Sequence, residues 1–189
     1  MAAEESFEQA QRLFIEGKHR ESLDKFTEAL DAGYEPGITY VSRGAAYLKI
    51  NEPDKAIEDF TRGIEADPEK ANAYYYRGAA HMAKEEYEKA IADMNCATEL
   101  KPDYRAAIFA RGLAEVSIGR KEEGASDIKT AMTHAEAEVQ GFADTYGWRT
   151  QIEKVVAALE GERRPETMIL SDKEMEELKK LLLPEKSGN

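Results

Sequence analysis

One cysteine and one tryptophan stand among 189 residues. The single thiol, Cys96, excludes an internal disulfide framework and fits a reducing compartment, so a cytoplasmic location is the expectation. Basic charge is scarce: 26 Lys and Arg against 38 Asp and Glu leave a net charge of −12. Phosphate recognition needs clustered Lys and Arg, so this balance excludes a nucleic-acid binder and disfavours an anionic membrane surface. No stretch approaches the roughly 18 apolar residues of a membrane span. The opening Met1-Ala2-Ala3-Glu4-Glu5 has neither the basic nor the apolar part of a secretory signal, so none is expected. The three histidines, His19, His81 and His134, form no ligand cluster of the His-Glu-x-x-His kind, and the glycines occur singly rather than in a phosphate-cradling loop. Cys96 has no neighbouring histidine in sequence to activate it. No metal, no cofactor and no catalytic centre are expected.

What the chain does have is a period. Arg43-Gly44, Arg77-Gly78 and Arg111-Gly112 follow one another at intervals of 34 residues. A period of this size marks stacked repeats rather than a closed globule. The unit from Gly37 reads GITYVSRGAAYLKINEPDKAIEDFTRGIEADPEK and the next, from Ala71, reads ANAYYYRGAAHMAKEEYEKAIADMNCATELKPDY. Tyr40, Gly44, Ala56, Phe60 and Pro68 of the first fall in register with Tyr74, Gly78, Ala90, Met94 and Pro102 of the second. A third copy runs from Arg105 to about Glu138, and an earlier one from about Ala3 to Pro36 carries Ala10, Leu13, Ser22, Phe26 and Ala29. A hydrophobic content of 42% with 34% charged residues fits a stack in which each unit buries surface only against its neighbours.

Each unit splits into two amphipathic helices. Tyr40, Tyr47 and Leu48 share helical spacing, and so do Ala56, Ile57, Phe60 and Ile64 after the break at Asn51-Glu52-Pro53. Pro53 suits the first turn of a helix, where its missing N–H costs little. Gly44, Gly78 and Gly112 lie inside first helices, where glycine costs about 1 kcal/mol against alanine. Close approach of the partner helix is the compensating gain, with Ala56, Ala90 and Gly124 as the facing small residues.

These residues resemble the tetratricopeptide repeat family over about Ala3 to Glu138. The resemblance implies an all-α, right-handed α-solenoid of about four helix-turn-helix repeats, with first helices lining a concave groove. On that alignment Phe7, Val41, Tyr75 and Phe109 face the groove; one turn later come Gln11, Ala45, Ala79 and Leu113, then Phe14, Leu48, Met82 and Val116. The set is mostly apolar, which suits a ligand supplying apolar side chains. One subfamily grips the C-terminal carboxylate of chaperones with Lys, Asn and Arg. The matching residues here are Phe7, Gln11, Ser42, Asn72 and Tyr76, or one repeat on Val41, Ala45, Tyr76, Ala106 and Ala110, none of them cationic. A carboxylate needs charge-assisted donors, so this mode is rejected.

Beyond the repeats, Trp148, Ile152, Val155, Val156 and Leu159 keep helical spacing and predict a capping helix, so residues 3–160 form the solenoid unit. Residues 161–189 hold a Gly161-to-Pro165 break and a second, short amphipathic helix. Its signals are a Ser171-to-Glu174 capping box, an apolar face of Met175, Leu178, Leu181 and Leu182, and a stop at Pro184. A helix this short needs a surface to dock on. The functional expectation is a non-enzymatic protein-interaction module, an adaptor or scaffold that binds an apolar or amphipathic segment of another protein. The alternatives are a self-assembling homodimer or autoinhibited protein whose C-terminal helix fills its own or a partner's groove, and a secretion or assembly chaperone.

Overall fold

A computed structural model describes residues 2–132. Every regular element among them is an α-helix: α1 Ala2–Ile15, α2 His19–Asp31, α3 Pro36–Lys49, α4 Pro53–Ala66, α5 Ala71–Ala83, α6 Tyr87–Leu100, α7 Arg105–Ser117 and α8 Lys121–Met132. They pair as four hairpins, α1/α2, α3/α4, α5/α6 and α7/α8. The chain divides into two compact units, Met1–Pro102 with the first three hairpins and Asp103–Asn189 with the fourth. The expected capping helix with Trp148 and the terminal helix with Met175, Leu178, Leu181 and Leu182 lie outside the described residues.

The helix ends repeat as faithfully as the helices. Each first helix closes with the same pair of backbone bonds. Lys18 N–H donates to the Leu13 carbonyl and Gly17 N–H to that of Phe14; Glu52, Glu86 and Arg120 repeat the first bond to Tyr47, His81 and Glu115. This is the Schellman arrangement, and it demands a left-handed residue at the turn. Gly17, Asn51, Glu85 and Gly119 fill that place, all with φ between 59° and 87°. The second helices α4 and α6 end differently: Asp67 and Lys101 are extended, with φ of −147° and −137°, as the residue before Pro68 or Pro102 must be. Pro53 sits in the first turn of α4, as its sequence position predicts.

Inside each hairpin a large side chain of the second helix lies over a small residue of the first. Phe26, Phe60, Met94 and Ile128 occupy one repeat position and are fully buried. Opposite them stand Ala10, Gly44, Gly78 and Gly112. A Cβ on Gly44 would sit 2.7 Å from the Phe60 ring, and one on Gly78 would sit 2.9 Å from the Met94 methyl. In the α7/α8 hairpin the approach is backbone to backbone, since a Cβ on Gly112 would meet the Gly124 carbonyl at 2.7 Å. Burying each large side chain contributes about 2–3 kcal/mol, more than the roughly 1 kcal/mol glycine costs its helix.

Within the first unit α2 packs on α3 and α4 on α5, while α1 touches α3 and α3 touches α5. The first helices α1, α3 and α5 therefore lie side by side and present one face.

Candidate functional site

That face is built on a polar ladder. Arg43 of α3 donates two hydrogen bonds of 2.8 Å to the Asp59 carboxylate of α4 and one of 3.0 Å to the Thr27 hydroxyl of α2. Arg77 repeats this with Asp93 of α6, at 2.9 and 2.7 Å, and Thr61 of α4, at 3.2 Å. Each threonine hydroxyl in turn donates to a carbonyl four residues back, Leu23 or Ile57. One guanidinium thus ties three helices, its own hairpin and the one before. In the second unit Arg111 pairs with Asp127 in the same bidentate fashion. The carboxylate hydrogen bonds hold the Arg43, Arg77 and Arg111 cations above their usual pKa, against the opposing pull of burial. Tyr40 and Tyr74 stack on Arg43 and Arg77.

The twelve residues expected along the groove divide sharply. Phe7 is buried against the rings of Phe26 and Tyr34, with centroids 5.7 and 4.8 Å away. Val41 packs onto Gly63 of its own hairpin and Val116 onto Gly124. Tyr75, Ala79, Met82, Phe109 and Leu113 are buried as well. Gln11 is exposed, and Phe14, Ala45 and Leu48 are half-buried. Two apolar residues that the spacing argument passed over belong with these four: Ile15 is 83% exposed and Ile38 is 42% exposed. The available signal was the neighbouring stripe. Glu4, Glu8, Gln11 and Ile15 follow the i, i+4, i+7, i+11 spacing of one helix face, and Ile38, Ser42, Ala45 and Lys49 repeat it one unit later.

Charge is unevenly placed along this face. At the first-turn end Tyr34 has its phenol pushed up by burial and by the charges of Glu35, Glu4 and Glu8. At the last-turn end stands Lys49, whose ammonium is destabilised by partial burial. His19, which opens α2, has its ring tilted against Phe14 with centroids 5.1 Å apart and is held below its usual pKa by burial and then by Lys49.

His81 and Cys96 are the remaining candidates for chemistry among the described residues; His134 lies outside them. His81 is buried and its Nδ1 pairs with Glu86 Oε2 at 2.7 Å. Glu86 also accepts from Lys89 and is held at a pKa of about 2 by Lys89, His81 and Lys84. Burial pushes the Cys96 thiol up, the opposite of activation. Among the described residues no group of His, Cys, Asp or Glu is placed to hold a metal ion, and no helix is long and apolar enough to cross a membrane.

A sequence profile of the tetratricopeptide repeat matches residues 41–104. No curated protein sequence matches the chain. Among solved structures, the second tetratricopeptide domain of Spaghetti (RPAP3), bound to the HSP90 peptide SRMEEVD, is 32% identical with a TM-score of 0.50, over 51% of this chain and 89% of its own. The first such domain of the same protein, bound to the same peptide, is 25% identical with a TM-score of 0.60, over 62% of this chain and 93% of its own. TTC0263, a thermophilic repeat protein of Thermus thermophilus, shares the fold, with a TM-score of 0.66 and 17% identity over 84% of this chain and 87% of its own. The 34-residue hairpin period, the matching profile and these likenesses converge: the chain belongs to the tetratricopeptide repeat family.

Proposed function

We propose that the protein is a protein-interaction module that takes an apolar or amphipathic segment of another protein on the face of α1, α3 and α5. The observation that carries this is the accessible apolar group Phe14, Ile15 and Leu48 at the last-turn ends of α1 and α3, set on a scaffold whose polar groups are paired inward. Exposed apolar side chains in a contiguous patch mark contact sites, and hydrophobic burial there supplies affinity. The Spaghetti repeats hold a peptide, which supports peptide capture as the general mode. Their acidic ligand does not suit this chain, where Phe7, Gln11, Ser42, Asn72 and Tyr76 provide no cation at the positions matched to a carboxylate clamp.

A displayed peptide library selected on the full chain tests the reading. Selected peptides should carry apolar residues, bind the Leu100→Asp variant as well as the parent, and lose at least tenfold in affinity with Ile15→Asp or Leu48→Asp. Binding indifferent to both of the latter would overturn it.

A second reading has its support in the sequence. The capped, amphipathic residues 168–183 would fill the groove of their own or a second copy through Met175, Leu178, Leu181 and Leu182. Amide exchange over 172–183 at several protein concentrations separates the two. Protection there supports the tail as occupant, protection that grows with concentration supports a dimer, and fast exchange sinks this second reading.

A further inference from the structure

We infer that the segment taken by this face carries a basic end: a short apolar stretch with Lys or Arg at one extremity, the cations lying at Glu8 and Glu35 and the apolar side chains on Phe14, Ile15 and Leu48. The inference rests on the groove reading and adds the chemistry and direction of the partner.

The apolar part comes first. Ile15, at 83% exposure, is a large side chain in water at the last turn of α1. Phe14 and Leu48 line the same strip, half-buried, so a ligand can complete their burial without moving the core. Charge complementarity then chooses among apolar partners. Glu8 and Glu35 form no ion pair among the described residues, although lysines pair with carboxylates elsewhere on the surface, as Lys25 does with Glu28 and Lys84 with Asp54. Their charges and that of Glu4 act together on Tyr34, whose ring lies against Phe7 and offers an aromatic surface beside the carboxylates. A cation there gains from both.

The two parts are separated along one helix. Glu8 and Ile15 are seven residues apart on α1, roughly 10 Å at 1.5 Å per residue. An extended ligand covers that span in about three residues. Direction follows, because the opposite end carries Lys49 and would repel a ligand laid the other way. An acidic peptide is disfavoured at the carboxylate end for the same reason.

The test uses the full chain and two fluorescein-labelled, amidated peptides, KRALALL and EEALALL, read by anisotropy at low salt. We expect KRALALL to bind at least tenfold more tightly, the gap to narrow as salt is raised, and a Glu8→Lys/Glu35→Lys double variant to reverse the preference. Ile15→Asp, at a position in water, keeps the fold and should weaken both peptides. Equal binding of the two peptides, with loss in Ile15→Asp, would overturn the basic-partner inference and leave the groove reading standing. Indifference to Ile15→Asp would overturn both. Binding of KRALALL that appears only when Leu178→Asp and Leu182→Asp are introduced would also overturn it, because the occupant is then this chain's own terminal segment.

Discussion

Arg77 spans three helices, and its removal leaves a carboxylate behind. The Asp93 side chain is only 8% exposed, so Arg77→Met strands a buried charge and should cost about 3 kcal/mol. The double variant Arg77→Met/Asp93→Leu should recover most of that, and urea unfolding measures both. The glycines give a graded series. Gly112→Ala forces a methyl against the Gly124 carbonyl and should destabilise by about 1–3 kcal/mol, whereas Gly37→Ala meets nothing closer than 3.5 Å and should be neutral or slightly stabilising. Glu86 supplies a pH signature. Its pKa falls from 4.5 to about 2 on folding, so its stabilising contribution is complete above about pH 4.5 and lost as pH drops toward 2. Glu86→Gln should flatten the stability profile across that window and leave the neutral range unchanged in slope. At this scale the sequence was partly legible. The Arg-Gly period and the large-over-small packing could be read from spacing. The aspartate partners could not, because Arg43 and Asp59 are sixteen residues apart across a turn, where no single-helix periodicity connects them.

Among the elements, the four first-helix ends show one backbone solution written in different residues. Gly17 and Gly119 adopt the left-handed conformation without strain and Asn51 tolerates it, but Glu85 does so at φ 59° against its Cβ. Glu85→Gly should stabilise the protein by about 1 kcal/mol, seen as a rise in the unfolding midpoint with unchanged slope. Helix positions were legible from Pro53, Pro68, Pro102 and the 3.6-residue spacing, because these signals are local. Which of the expected groove residues stay accessible was less legible. Phe7, Val41 and Val116 share helical spacing with the exposed positions, but each has a close partner across its own hairpin, in Phe26, Gly63 and Gly124. An apolar residue with a close partner across its own hairpin is drawn inward. Ile15, at the last turn of α1, has no such cover.

For the molecule as a whole, stacked hairpins divide the labour between spine and surface. In such arrays stability adds up from each unit and its nearest neighbours, so the Arg43 and Arg77 ladder, which joins successive hairpins, holds the array together from within. The face left over carries Phe14, Ile15 and Leu48 beside Lys49 at its last-turn end, and Glu8 and Glu35 beside Ile38 at its first-turn end. Methyl-labelled NMR spectra of the full chain, titrated with KRALALL, test the central claim most directly. The Ile15 and Leu48 methyls should shift together with a single saturation curve while Leu100, exposed on α6, stays put. Shifts at Leu100 with Ile15 and Leu48 unmoved would contradict the account.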